Sequence, residues 1–437
     1  MAAEIYAFGD VTFDAVERRL TRGGHTLALT AKANGVLAAL VRAAGRLVTR
    51  RALLDEVWPE ANVEEGILTV YISGLRKALG ESSQSRFIET VSGAGYRFVV
   101  PVSVPRSVPS DSNGTQPRAS NPALHELIGR GRFHLLSVSM PEMSKAVAAF
   151  ERAIDIDPGY AAAHAGLAIA HCSQAELRCA PVAEAYARAR AAALRALALD
   201  SQSAEAQLAL GTVLFLAEWD WRGARRSLER ALELNPNYTE AYLLYGRLLE
   251  ALGSLDEGLQ TKMKALERDP FSPLVHLQIS LSYWNQRRYD ESIQWANRTL
   301  DLEPKHLLAR EHLAGAYWKL GDFDRHMQEN IRHARTYGVS REALKPLEDA
   351  YASGGRPAVV RFMLSTASAA QHQPPAAQMA LLHGEAGELD AAFQHLHAAI
   401  DARDPCLVHL AVAPQWDSLR GDPRFAECLG RMRLGLT

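Results

Sequence analysis

The stretch AYLLYGRLLEALGSLDEGLQTKMKALERDP, residues 241–270, decides the fold of most of the chain. It reads as two amphipathic helices, the first carrying Gly246, the second carrying Gly258 and Ala265, closed by Asp269-Pro270. The same ending recurs 34 residues to either side, at Asn235-Pro236 and at Glu303-Pro304. Counting back from each proline, small residues recur where two helices must approach closely: Ala224 and Ala231 before Pro236, and Ala146 and Ala153 before Pro158. Gly166, Gly211 and Gly246 hold one such position on the first helix of a pair, and Tyr283 and Tyr317 hold another. Asp157-Pro158 and Leu199-Asp200-Ser201 mark earlier repeats, stretched by insertions around Leu177–Val182 and Trp219–Trp221.

A 34-residue helix–turn–helix unit with this small–aromatic–small spacing and a terminal proline resembles the tetratricopeptide repeat. Two short antiparallel helices cannot bury their apolar faces alone, so such units stack. Six repeats are expected over 123–338. The sixth is degenerate, with His326 and His333 at small-residue positions and Gly338 in place of the proline. Residues 339–437 read as degenerate helical repeats and a C-terminal cap. A further pair is expected near 375–405, and the end around Trp416 to Phe425 reads as a polar capping tail. First helices of such pairs line a concave groove, and here they carry Tyr242, Arg247, His276, Gln278, Asn285, Arg310 and His312. The architecture implies a protein or peptide partner on that groove.

Upstream, residues 101–122 hold five prolines among Ser, Asn and Gly, which predicts a solvated, flexible linker. Residues 1–100 have a different texture. Ile5–Phe8, Val11–Asp14, Arg18–Thr21 and His25–Leu29 read as a small antiparallel sheet with turns such as Gly23-Gly24. Helices are expected over Lys32–Ala44, from an N-cap at Thr49 through Trp58 to Pro59, and over Val63–Leu79, closed by Gly80. Residues 87–91 and 96–100 then flank Ser92-Gly-Ala-Gly95 as a hairpin.

This order resembles the winged-helix output domain of OmpR/PhoB-type bacterial regulators. The matching stretches are Leu29–Lys32, Gly45–Leu54, Val57-Trp58-Pro59, Val70–Leu79 and Phe87–Phe98. Joined to tetratricopeptide repeats it is similar to the one-component regulators of that design, with no receiver domain and no membrane span expected. The fold class expected is therefore an α+β winged helix-turn-helix domain, a flexible linker, and an all-α tetratricopeptide-repeat superhelix.

Spacing in the third helix supports the same role. Leu68, Ile72, Leu75 and Leu79 must face the core, so Gly66, Thr69, Ser73, Arg76 and Lys77 face outward, with Tyr71 on the flank. Small and polar side chains let a helix enter the major groove of double-stranded DNA, with cations on phosphates or guanine edges. The resemblance implies that the wing, with Arg97, reaches the minor groove. Arg50 and Arg51 open the second helix, where phosphate is favoured.

Composition limits this reading. The chain carries 48 Lys+Arg against 50 Asp+Glu. Residues 1–100 hold twelve cations and eleven anions, so one copy is expected to bind DNA weakly and to need a homodimer or repeated half-sites. A protein contact of the winged helix, for instance with RNA polymerase, is the alternative. The N-terminus has neither a basic start nor an apolar run, and no long apolar stretch comes after it, so a cytoplasmic protein is expected. Cys172, Cys179, Cys406 and Cys428 form no CxxC pair. Gly129-Arg-Gly-Arg-Phe-His134 lacks the third glycine of a nucleotide loop. His326 with His333, and His395 with His397, have no companion carboxylate or thiol pattern. No catalytic, metal or cofactor site is expected.

Overall fold

Alternation of apolar and polar residues sets the first sheet. Tyr6, Phe8, Val11, Phe13 and Leu20 are buried on one face of a four-stranded antiparallel sheet. Its strands are β1 (Ile5–Phe8), β2 (Val11–Asp14), β3 (Arg19–Arg22) and β4 (His25–Ala28). Helices α1 (Ala31–Arg42), α2 (Arg50–Val57) and α3 (Gly66–Ala78) come next. A second sheet, of order β5-β7-β6, joins β5 (Leu47–Thr49) to the hairpin β6 (Ile88–Val91) and β7 (Gly95–Phe98). Strand β5 is only three residues long and has no periodicity to announce it. The rings of Phe8, Phe87 and Phe98 join the two sheets, with Phe8 and Phe98 centroids 4.9 Å apart. Leu68, Ile72, Leu75 and Leu79 are all buried, as their spacing predicts.

The structure is a computed structural model. It describes the chain except residues 1–4, 16–18, 23–24, 30, 59–65, 82–86, 92, 104–120, 136–139, 271, 337, 370–373 and 435–437. Gly23-Gly24, Pro59, Val63, Ser92 and most of the expected linker lie outside the described residues. Two compact units are present: Met1–Phe133 with Glu267–Ser272, and His134–Leu266 with Pro273–Thr437. The first unit thus runs beyond residue 100, into the first helix expected of the repeats.

Among the described residues, helices follow in the order of the six expected repeats, at the 34-residue spacing from α10 onward. They are α4 (Pro122–Leu135), mostly in the first unit, and α5 (Met140–Ile156), in the second, then α6 (Ala161–Glu176) with α7 (Val182–Leu199), and α8 (Ala204–Val213) with α9 (Trp221–Leu234). Then come α10 (Thr239–Ala251) with α11 (Leu255–Arg268), α12 (Pro273–Asn285) with α13 (Tyr289–Leu302), and α14 (Leu307–Leu320) with α15 (Phe323–Thr336). The sixth pair keeps its geometry because His326 fills the small-residue position, its Nδ1 2.8 Å from the Ala314 carbonyl and its ring against Trp318. Residues Arg341–Ala369 form α16, kinked at Gly354 and Gly355. A seventh pair, α17 (Ala376–Ala386) and α18 (Leu389–Asp401), matches the one expected near 375–405.

Beyond α18 the chain differs from the polar tail expected. Two short turns and α19 (Pro423–Arg431) bury Leu407, Leu410, Trp416, Leu419, Phe425 and Cys428. They share one core with residues of α6 to α10. His409 is near Phe215, and its Nε2 lies 3.1 Å from the Arg247 carbonyl. The groove residues expected to await a partner are largely committed inside the protein. Arg247 pairs with Glu176, Asn285 bonds Glu250, His276 packs on Trp295, and Arg310 pairs with Glu329.

At the α10–α11 contact a lysine is fully buried. A Cβ on Gly246 would stand 2.8 Å from the Gly258 carbonyl and 2.7 Å from Cγ of Lys262, so the lysine stem lies flat over glycine. Its Nζ reaches Glu250 at 2.9 Å and donates to the Gln278 carbonyl at 3.0 Å. Ser282 and Asn285 donate to the same Glu250 carboxylate. Breaking such a pair strands a buried charge, at a cost of about 3–5 kcal/mol, whereas removing both charges is often near neutral. Lys262→Met is therefore expected to destabilise the array by about that amount, and Lys262→Met with Glu250→Leu to recover most of it, as read by denaturant unfolding of the full chain.

Burial and the nearby cations Arg247 and Lys262 push His409 down to about 3. Its folded value lies below the unfolded one, near 6.5, so its contribution is complete above that pH and is lost as pH falls toward 3. Between pH 7 and 5 the loss is up to about 2 kcal/mol. Thermal melting should show the midpoint falling over this range, with a shallower fall in His409→Gln.

Candidate nucleic-acid interface

The exposed stripe of α3 consists of Gly66, Thr69, Val70, Ser73 and Lys77. These positions fall on one side of a 3.6-residue period, opposite the buried Leu68, Ile72 and Leu75. Thr69, Ser73 and Lys77 stand where the sequence predicts. Val70 is an addition to the expected set: it is apolar yet 40% exposed, on a face otherwise small and polar. An exposed β-branched residue next to Thr69 was the available signal, since nothing in the core needs it.

Tyr71 does not belong to this face. It is 5% exposed and its ring meets Trp58 edge-on at 5.3 Å. Three positions after the buried Leu68, it completes the core stripe rather than flanking it.

Arg76 is also held away from the stripe. Its guanidinium donates to the Ile88 carbonyl at 2.9 Å and to Thr90 Oγ1 at 2.8 Å, and lies 3.3 Å from the Glu81 carboxylate. Glu81 in turn accepts the backbone N–H groups of Phe87 and Ile88, at 2.8 and 2.6 Å. Arg76 and Glu81 therefore fix the first strand of the wing to the end of α3. The sequence carries both residues, but only folding brings 76, 81 and 88–90 together.

Arg97 sits within β7, with Leu47 and Glu89 as its neighbours on either side, and its Nη1 pairs with Glu89 at 3.1 Å. It is not at the wing tip, which lies at Gly93 and Ala94, between the paired Val91 and Gly95. Gly95 is required there: its φ is +159°, and a Cβ would stand 2.1 Å from the Val48 carbonyl. This closeness lets Arg50 N donate to the Ala94 carbonyl at 3.2 Å, tying the wing to the start of α2. The next cap is Thr49, which accepts from Ala52 N at 3.1 Å. Two of the helix-start N–H groups that the sequence offers to phosphate are thus already used. Arg51 remains exposed, 3.2 Å from Asp55 one turn on. Such a surface pair is worth little and is easily exchanged for phosphate.

Comparison with known proteins finds matches in both regions of the chain. Residues 24–98 match the family described as transcriptional regulatory protein, C terminal, and residues 215–278 and 277–328 match two tetratricopeptide repeat families. The chain is 36% identical over 122 residues to the transcriptional regulator HilA of Salmonella typhi, covering 28% of this chain and 20% of that protein. It is 38% identical over 90 residues to the response regulator MprA of Mycobacterium sp. (strain KMS), covering 20% of this chain and 39% of that protein. The DNA-binding domain of E. coli CadC is 29% identical, with a TM-score of 0.22, over 22% of this chain and 94% of that one. The chain spans about a fifth of the length of HilA and two fifths of that of MprA. It therefore joins a winged-helix DNA-binding domain of the transcriptional-regulator type to tetratricopeptide repeats. Among the described residues, no helix is long and apolar enough to cross a membrane, and no group of three His, Cys, Asp or Glu is placed to hold a metal.

The two neighbouring cations of α3 should separate cleanly on mutation. Arg76→Ala leaves Glu81 and two wing carbonyl and hydroxyl acceptors short of a donor. It should cost the first unit about 1–3 kcal/mol in thermal or denaturant unfolding. Lys77→Ala should leave that stability within about 0.5 kcal/mol.

Proposed function

We propose that this protein is a cytoplasmic bacterial transcriptional regulator whose winged helix reads double-stranded DNA and whose repeats bind a protein partner. The observation that carries the DNA reading is the exposed stripe Gly66, Thr69, Val70, Ser73 and Lys77, presented by a helix whose wing is fixed beside it. Thr69 and Ser73 donate to or accept from base edges, Val70 meets a thymine methyl group, and Lys77 takes phosphate. Arg50 and Arg51 hold the backbone from the start of α2. Arg76 acts here as a positioning residue, and Arg97 keeps its bond to Glu89. The names of HilA and MprA, a transcriptional regulator and a response regulator, support the reading.

With so few cations on the face, one copy makes about four phosphate contacts. Affinity then falls roughly 100-fold between 50 and 200 mM salt, which favours a homodimer on paired half-sites. DNA selection and then footprinting with the full chain at both salt concentrations tests this. A sequence-specific protected site is expected. Lys77→Ala should reduce the salt slope by about one, and Val70→Ala should relax preference at one thymine-containing position. Retention of RNA polymerase without any specific footprint would instead make the winged helix a protein contact.

A further inference from the structure

The turns inside the helix pairs fall into two classes. Each of six described turns places one residue in the left-handed region of backbone space. In α10–α11, α14–α15 and α17–α18 that residue is glycine: Gly253, Gly321 and Gly387, with φ of 91°, 76° and 79°. A Cβ at any of the three would meet nothing within 4 Å. In α6–α7, α8–α9 and α12–α13 it is Arg178, Trp219 and Arg287, with φ of 54°, 53° and 61°. Side chains are disfavoured in this region, so these three turns carry strain that glycine would relieve.

All three strained residues touch the same stretch of chain. The Arg178 guanidinium donates to both carboxylate oxygens of the buried Asp404, each at 2.7 Å. The Trp219 ring carries the guanidinium of Arg403 at 4.5 Å, and Arg403, itself left-handed at φ 52°, donates to the Glu218 carbonyl at 2.9 Å. Arg287 donates to the two carboxylate oxygens of Asp417 at 2.6 and 3.2 Å. Trp284 and Trp221 add indole bonds to Gln415 and to the Met432 carbonyl. The fit is incomplete: Tyr186 Oη, Trp219 Nε1 and Trp416 Nε1 are buried in this shared core without a hydrogen-bond partner. Each such donor penalises the closed arrangement relative to one in which it is served.

We propose that residues 403–434 are a built-in ligand of the repeat array, latched by Arg178, Trp219 and Arg287, and that the array's partner is an apolar peptide segment bearing two spaced carboxylates that compete for the two arginines. Strain is present at the turns that grip the segment and absent at the turns that face open space, so the strained side chains serve the grip. The segment is gripped through carboxylates at Asp404 and Asp417, which defines the chemistry a competitor must offer. The partner half of this statement rests on reading the array as a protein-binding surface; the latch does not.

The full chain carrying Asp404→Asn and Asp417→Asn tests it, because asparagine still caps the turn that Asp404 caps at Cys406 N. Hydrogen exchange in 405–434 should rise at least tenfold, while α9 and α13 keep their rates. Unchanged exchange in 405–434, or a rise shared equally by α9 and α13, overturns the latch. A labelled peptide of residues 403–434 added in trans should bind this variant, and lose at least tenfold in affinity when Arg178→Gly and Arg287→Gly are added. Glycine suits both turns, so that loss reads the grip rather than the fold. Raised exchange without peptide binding overturns the partner half alone.

Discussion

At several places in this array two helices approach so closely that one of them must offer no side chain. A Cβ on Gly166 would stand 2.3 Å from the Phe150 ring, one on Gly211 2.9 Å from Leu228, and one on Gly246 2.8 Å from the Gly258 carbonyl. Between these points, Ala146, Ala153, Ala224, Ala231 and Ala265 are fully buried. The rest of the array depends on this approach: the 34-residue period, the flat path of the Lys262 stem, and the stacking of one pair on the next. The last pair uses the same device differently. A Cβ on Gly384 would meet Ser418 and Leu419, so here the small residue receives the C-terminal segment instead of a helix of its own pair.

In the winged helix, charge rather than size is the limiting resource. Arg22 bonds Asp10 and the Leu79 carbonyl, Arg42 pairs with Glu56, Arg76 holds the wing, and Arg97 pairs with Glu89. Several of the domain's cations thus maintain its own geometry. This explains how a domain of nearly zero net charge presents a groove-compatible helix at all. Arg22, Arg76 and Arg97 are placed to keep the end of α3 and the hairpin in register, and are thereby withdrawn from phosphate. Shape complementarity of small side chains then has to carry more of any recognition.

The parts legible in the sequence are those governed by short-range periodicity. The repeat period, the core stripe of α3 and the Thr49 cap all depend on residues within one or two turns of each other, and all three are present in the structure. Tyr71 departs from its expected place because helix spacing alone leaves a flank position undecided, and Trp58 decides it. Arg76 and Arg97 look like surface cations in the sequence because their partners, Glu81 with Thr90 and Glu89, meet them only through hairpin and helix-end geometry. The C-terminal segment is the least legible part. Its Asp and Arg residues, between Asp401 and Arg424, resemble a solvated cap, but Trp221 with Met432 and Arg178 with Asp404 pair across more than 200 residues. No local pattern encodes contacts at that separation.

Magnitudes show what holds that segment in place. Left-handed backbone at Arg178, Trp219, Arg287 and Arg403 costs about 1 kcal/mol each. The Arg287–Asp417 pair is partly exposed on both sides and returns about 0–1 kcal/mol at most. Arg178 with the buried Asp404 is stronger, yet a charged hydrogen bond of that kind contributes only about 1.5–3 kcal/mol. The polar contacts therefore do little more than offset the strain of the turns that supply them. Net stabilisation must come from apolar burial, where Leu407, Leu410, Trp416, Leu419 and Phe425 each contribute about 1.5–3 kcal/mol. Arginine–carboxylate pairs are directional and add to the register that apolar packing sets. The two kinds of contact thus contribute unequally. The apolar residues supply most of the hold on the segment, and the arginines sharpen its register and add the increment that a competing carboxylate would remove.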